Sequence, residues 1–351
     1  LKTDQVVELN GKVDLELNED ESSVALAFER VLARESSTDR VRAAEAAGFD
    51  PSLWKVLTGM GTVGMALPES AGGAGGGLVS LTLAAEAAGR HLACVPIVEA
   101  AAAALVLAEA GGQQAAIVAA GGDGPPVVLA PRPAEDGVAV LVPGGTVASA
   151  VVALDGDELV LAHGAPGTAV RDLGYLAAAD RPLRGDGVER QVLAAGDRAR
   201  EVWDMAVGCW RLGTAAACAG LALQALDVAA GYARTRHQFG VPIGSFQAIQ
   251  QLLVDPVMAA DGALLLAREG AWRHDHGLAS WRSAADIAYA HAAETAVRAA
   301  EACLHVHGGY GYTLEYDAQL YLRRAKALLL LGGDPEAIWE RIGAATAGGG
   351  H

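Results

Sequence analysis

Arg234-Thr-Arg-His-Gln-Phe-Gly-Val-Pro-Ile-Gly-Ser-Phe-Gln247 closes one long helical pattern and opens another. Its companion, His305-Val-His-Gly-Gly-Tyr-Gly-Tyr312, sits between two more. Upstream, apolar residues recur at helical spacing from Val202 to Arg234. Downstream the same period covers 245–275, ending before Gly277, then 281–305, 317–331 and a shorter 335–345. Long helices joined by such short links predict an antiparallel bundle.

Toward the N-terminus the pattern changes twice. Between Ala115 and Arg198 come seven prolines and short runs of Val and Leu. Strands are expected at 127–130, 138–142, 148–154 and 158–161, with Asp155-Gly156 as a hairpin signal. Before that the period is helical again. Two short helices are expected over 21–47, and one starts near Trp54 with Asp50 or Ser52 as cap and Pro51 in its first turn. Trp54, Leu57 and Met60 share its inner face, and Gly59 and Gly61 end it. Helices over 78–89 and 98–110 follow. Residues 1–20 show no period and read as a leader or a frayed terminus. The fold class is α+β, mainly α: an N-terminal helical domain over 1–115, a small middle β domain over 116–198, and a C-terminal four-helix bundle over 199–351.

Composition narrows the function classes. The 351 residues carry a net charge of −16, which opposes phosphate-backbone binding, so no nucleic acid is expected. There is no polybasic run for a membrane surface. Charges interrupt the helical patterns, so no spanning segment is expected, and no signal-peptide pattern opens the chain. Cys94, Cys209, Cys218 and Cys303 form no C-x-x-C pair, which suits a reducing cytoplasm. With 52% hydrophobic but only 5% aromatic residues, the core is built of small side chains that let helices approach closely. The glycine-rich Leu67-Pro-Glu-Ser-Ala-Gly-Gly-Ala-Gly-Gly-Gly77 has a phosphate-cradle reading and a plain loop reading. It lacks the Lys-Ser/Thr that follows a P-loop.

Taken together, Trp54-x-x-Leu-x-x-x-Gly-x-x-Gly-x-x-Leu-Pro-Glu69, Gly72-Gly73-x-Gly75, Glu86-x-x-Gly89-Arg90, the 234–247 stretch and Gly308 to Arg323 resemble the acyl-CoA dehydrogenase family. The version around Gly308–Arg323 is like actinobacterial members. The resemblance covers both helical regions. It implies FAD as cofactor, shared between subunits, with the ADP half reaching a neighbour's C-terminal bundle. The positions matching that contribution are Arg236, Gln238, Phe246, Gln247, His305, Gly308 and Gly309. Arg236 would neutralise pyrophosphate, and the two glycines would let backbone approach the ligand. Read without the resemblance, Arg236 is a surface charge and the glycine pair a turn. Arg211 matches a family arginine near the CoA end of the substrate, and equally suits a helix-surface charge.

The family reaction needs a carboxylate to take the α-proton of an acyl thioester. The two places where relatives carry it are Gly332 and Trp210 here, so neither can act as base. Asp334 and Asp204 stand nearby; Asp334, with Pro335 behind it, also reads as a helix cap. The Thr-Glu-x-x-x-Gly-Ser and Lys-x-Trp segments that hold a flavin ring are missing between 115 and 198. The resemblance therefore implies the non-catalytic member of an α2β2 heteromer. Its expected partners are a homologous catalytic subunit, an acyl-CoA substrate of bulky or steroid side-chain type, and an electron-transfer flavoprotein. A self-sufficient dehydrogenase using Asp334, or an acyl-CoA-binding protein without redox chemistry, are the other readings. His274-Asp-His276 and His305-x-His307 raise a metal site, but no carboxylate or cysteine completes a ligand set at metal spacing, so no metal is expected.

Overall fold

The structure is a computed structural model that describes residues 15–111 and 124–348. Most of the expected leader, and the 115/116 boundary, lie outside the described residues. Helix α1 (Glu19–Glu35) starts two residues earlier than expected. Asn18 and Glu21 form a reciprocal capping box there, at 2.9 Å in each direction. After α2 (Thr38–Ala44), Asp50 caps α3 (Pro51–Gly59), accepting from the amides of Ser52 and Leu53. Trp54 and Leu57 are buried on α3, but Met60 is 37% exposed. It stands one residue beyond the helix end and turns away from the shared face.

The glycine run leads through a short 3-10 turn, Glu69–Ala71, into α4 (Gly77–Arg90). The first amides of α4, on Leu78 and Val79, donate to the Asp275 carboxylate at 2.8 and 3.0 Å. A Cβ on Gly77 would sit 2.4 Å from Asp275 Oδ2, and its φ is +69°. This helix start is occupied by a carboxylate of the same chain, so the glycine run is a structural loop rather than a phosphate cradle. α5 (Ile97–Val106) ends earlier than expected and passes into a π-turn, Leu107–Gly111.

Among the described residues the middle region has seven strands: β1 (Val127–Leu129), β2 (Val138–Val142), β3 (Ala150–Asp155), β4 (Glu158–His163), β5 (Thr168–Ala169), β6 (Ala179–Pro182) and β7 (Glu189–Ala195). One sheet runs β1-β3-β4-β7, with β1 and β3 parallel, and a second runs β2-β6-β5. The first four strands were expected. The other three carry polar or very short sequences without apolar alternation. β3 is buried along its whole length. Its Val151 and Ala153 pack into the core between the sheets, and Val152 and Leu154 into the helical core. Burial on both faces explains its uninterrupted apolar run.

The helical region resumes at α6 (Gly196–Thr235), a 40-residue helix roughly 60 Å long. A β-hairpin of β8 (His237–Gln238) and β9 (Val241–Pro242) follows, then α7 (Gln247–Asp275), α8 (Trp281–His307), α9 (Ala318–Leu331) and α10 (Pro335–Gly348). α6 begins six residues before the periodic pattern, because Gly196 follows β7 directly. Small residues set the helix spacing. A Cβ on Gly89 of α4 would lie 1.9 Å from Ala217 O, and one on Gly220 of α6 would lie 2.1 Å from Glu86 O. The two backbones meet at those points, which any larger side chain would prevent.

Among the described residues two helices, α6 and α7, are long and apolar enough to cross a membrane by length and composition, contrary to the reading from charge interruptions. Alanine-rich windows between the charged ends carry the hydropathy. Within them α6 is 72% buried and α7 only 11%. α6 is the core helix of the bundle. α7 turns its small residues, Ala260, Ala263, Ala267, Gly270 and Ala271, inward. Its larger Val254, Met258 and Leu265 face outward, at 51%, 61% and 47% exposure.

Candidate functional site

Trp210 and Gly332 are 122 residues apart in sequence, yet both touch Tyr289. The Trp210 ring lies 5.4 Å from the Tyr289 ring. The Tyr289 hydroxyl donates to Leu328 O at 2.7 Å and accepts from the Gly332 amide at 2.9 Å. A Cβ on residue 332 would lie 2.3 Å from Tyr289 Cε1. The space a side chain at 332 would need is filled by tyrosine. Trp210 and Tyr289 are both fully buried, and burial pushes the tyrosine hydroxyl above its ordinary value.

A carboxylate completes this knot. Trp210 Nε1 donates to Glu99 Oε1 at 3.0 Å, from α6 across to α5. Burial pushes the Glu99 carboxyl above the usual carboxylate range; the bond from Trp210 and the nearby Arg324 guanidinium offset part of that. Arg324 itself is buried and donates to Ala93 O at 3.0 Å and to Gly174 O, tying α9 to loops of both other regions. Sequence reasoning missed Glu99 and Tyr289. Glu99 had a signal, since it is the one charged residue between His91 and Glu109. Nothing local distinguished Tyr289.

The nearby acids are occupied or displaced. Asp334 Oδ1 accepts from the Glu336 amide at 3.0 Å, as the cap of α10. Asp204 is exposed on α6 as a residue, but partial shielding of its carboxyl from water raises its pKa despite Arg211 and Arg282 close by. Arg211 pairs with Asp286, and its Nε is buried without a partner. Arg211 and Gly332 line one cleft of about 740 Å³ between the β region and the helices.

The other candidate positions stand at the far end of α6. Arg236 is 26 residues beyond Trp210, about 39 Å along a helix of this rise. That is farther than one dinucleotide spans. Phe239 and Gly240 both have positive φ, +53° and +83°, which closes the two-residue hairpin between β8 and β9. Phe239 is 93% exposed and rests edge-on against Phe246. Arg236, Gln238, Phe246, Gln247, His305, Gly308 and Gly309 are all exposed. Arg236 lies 5.6 Å from the Tyr310 ring, which joins the two stretches of sequence into one surface. It has no carboxylate partner among the described residues. A Cβ on Gly308 or Gly309 would meet nothing within 4 Å.

The histidines are used elsewhere. His274 bonds Asp275 at 3.0 Å and approaches Cys209 Sγ at 3.7 Å; burial would lower its pKa, but these bonds push it up to about 10. His276 stacks on Trp272, and His307 on Tyr232. Among the described residues no three His, Cys, Asp or Glu side chains are grouped to hold a metal.

The family model described as acyl-CoA dehydrogenase, N-terminal domain, matches residues 18–116, and the C-terminal domain model matches 202–347. Acyl-CoA dehydrogenase FadE27 of Mycobacterium tuberculosis is 32% identical, over 84% of this chain and 88% of its own length. Several further curated relatives align over 36% of this chain and 33% of their own length. Among solved structures, a variant of the Tcur3481–Tcur3483 steroid ACAD superposes with a TM-score of 0.84 at 27% identity, covering 94% of this chain and 98% of that one. The ChsE4–ChsE5 complex from Mycobacterium tuberculosis gives 0.82 at 28%, covering 95% and 99%.

Proposed function

The chain belongs to the acyl-CoA dehydrogenase family, and we propose that it acts there as the partner subunit of a heteromeric, FAD-dependent enzyme. It supplies contacts to the ADP half of a flavin whose ring lies in a homologous catalytic subunit of an α2β2 assembly. Arg236 neutralises the pyrophosphate, Gln238 and Gln247 offer amides, Phe246 and His305 flank the nucleotide, and Gly308 and Gly309 admit it to the backbone. These residues fit such a group: the cation has no carboxylate partner among the described residues, and the space over both glycines is open. When bound, FAD would supply the acceptor for a hydride from the β-carbon of an acyl-CoA.

The observation that carries this reading is the packed knot of Trp210, Tyr289 and Gly332. A carboxylate at either family position would have to displace it, so the α-proton goes to a carboxylate of the other subunit. The outward apolar face of α7 supports a partner, since patches of that kind mark association surfaces. Likeness to a steroid enzyme and to a two-component complex favours a bulky or steroid side-chain acyl-CoA and a heteromer. Electrons pass on to an electron-transfer flavoprotein. Four free, buried thiols suit the cytoplasm.

The test is to express the chain alone and with a homologous dehydrogenase subunit, then measure assembly mass and flavin absorbance. A yellow heteromer and a colourless isolated chain are expected. Stoichiometric FAD and acyl-CoA oxidation by a homo-oligomer of this chain would overturn the reading.

A further inference from the structure

The N-terminal half of α6 carries a cluster that the proposed reaction does not use. Met205 and Cys209 stand one turn apart on that helix, with Cys209 Sγ 3.9 Å from Met205 Sδ. His274, at the end of α7, brings its Nε2 to 3.7 Å from the same Cys209 sulfur. By spacing alone, His274-Asp-His276 has no cysteine to complete a ligand set. The fold supplies one from 65 residues away. His276 turns elsewhere, with its Nδ1 bonded to Trp272 O at 2.8 Å.

The His274 ring is held as a ligand would be. Its Nδ1 lies 3.0 Å from Asp275 Oδ1, and a carboxylate only accepts, so Nδ1 carries the hydrogen and Nε2 faces the sulfur. Asp275 is in turn fixed by the amides of Leu78 and Val79, at 2.8 and 3.0 Å. Metal-binding imidazoles are oriented by such a carboxylate on their far nitrogen. The Trp281 ring stands edge-on to His274 at 4.8 Å and closes one side. A cleft of about 540 Å³, lined by Met205 and His274 with Glu109 and Glu201 against Arg198 and Arg282, leads toward the buried thiol.

The spacing decides what the cluster can hold. With metal bonds of about 2.3 Å to sulfur and about 2.0 Å to nitrogen, the donors around a trigonal ion stand about 4.0 Å (sulfur to sulfur) and about 3.7 Å (sulfur to nitrogen) apart. The observed 3.9 and 3.7 Å match both. Cys303 and His307 offer a contrast. Their sulfur and Nδ1 lie 3.8 Å apart, but that Nδ1 already donates to Cys303 O at 2.8 Å and has no lone pair left for an ion.

We infer that Met205, Cys209 and His274 form a three-coordinate site for copper(I). A thiolate with a thioether is a soft set that favours this ion, whereas zinc asks for four donors. Coordination releases the thiol proton and any proton on Nε2, and the oxidation state of the ion does not change. The inference is independent of the subunit assignment, since none of the three side chains belongs to the Arg236 surface or to the Trp210 knot.

The test is anaerobic titration of the full chain, alone and in its co-purified complex, with copper(I) buffered by a chromogenic chelator, and with zinc(II) in parallel. One copper per chain is expected, with an ultraviolet thiolate-to-copper absorption band and a higher unfolding temperature. Cys209→Ala should abolish the band and weaken retention by about a hundred-fold or more, and Met205→Leu, which keeps the volume, by about ten-fold. Cys303→Ala should change neither. Zinc should bind about a hundred-fold more weakly than copper(I). Flavin content should be the same in complexes of the parent and of Cys209→Ala, so failure here is distinguishable from failure of the subunit assignment. Full copper affinity in Cys209→Ala, zinc held as tightly as copper(I), or copper taken up only in proportion to all four thiols would each overturn the inference. If the alanine variant does not fold, unchanged affinity in Met205→Leu would overturn it equally.

Discussion

The two groups of positions singled out by the family resemblance, around Trp210 and at the C-terminal end of α6, are treated in opposite ways. At Trp210 every polar atom has a partner inside the protein: indole to Glu99, tyrosine hydroxyl to Leu328 O, amide of Gly332 to that hydroxyl. At Arg236 the polar groups face water and wait for something else. The inward end has become a core, where packing rewards large rings. The outward end has no packing role to fall back on, so its arginine, glutamines and bare glycines make sense through what they touch outside. A motif that survives on a surface without structural use is better evidence of binding than one that is buried.

That contrast can be broken experimentally. The largest effect should come from Trp210→Ala, which removes a buried indole and leaves the Glu99 carboxyl without its donor. A loss of about 3–5 kcal/mol is expected in urea unfolding. A loss below about 1 kcal/mol would mean the knot is not the core it looks like. Arg236→Ala should do the reverse, with unfolding unchanged but flavin retention by the assembled complex reduced by about 1.5–3 kcal/mol in binding free energy. Equal flavin content in parent and variant complexes would remove the outer surface from the site. Gly332→Ala should cost about 1–3 kcal/mol, since its Cβ meets the Tyr289 ring. A neutral result there would show that a side chain fits where the family resemblance expects a base.

Glu99 sharpens the comparison through pH. Its folded pKa is raised above the ordinary 4.5, so folding favours the protonated form. The stability this contributes is fully present below 4.5 and is lost as pH rises through the folded value. Glu99→Gln is neutral at every pH and still offers an acceptor to Trp210. Its stability relative to the parent should be about level in acid and should grow as pH climbs. Denaturant unfolding at several pH values checks this, and a difference that stays constant with pH would count against a buried, proton-favouring carboxyl.

Much of this was legible in the sequence. Helical period and proline-rich runs of Val and Leu predicted the order of the regions: helices, then strands, then helices again. Residue identity alone said that Trp210 and Gly332 cannot take a proton. What sequence could not say is that they share a neighbour, because Tyr289 joins them only through the packing of α6, α8 and α9. β5, β6 and β7 were invisible for a related reason: β7, Glu-Arg-Gln-Val-Leu-Ala-Ala, is held by pairing with β4 rather than by any pattern of its own. Met60 was misread by one residue of helix length. Of the arginines lining the cleft beside Gly332, only Arg211 was singled out in the sequence; Arg132, Arg282 and Arg341 are scattered over some two hundred residues with no motif to join them.

The outward Val254, Met258 and Leu265 of α7 carry a practical consequence. Copies made in excess of whatever covers that helix would adhere to one another, as exposed oily surfaces do. Under the proposed partner-subunit reading, the yield of usable protein would be governed by matched synthesis of two chains.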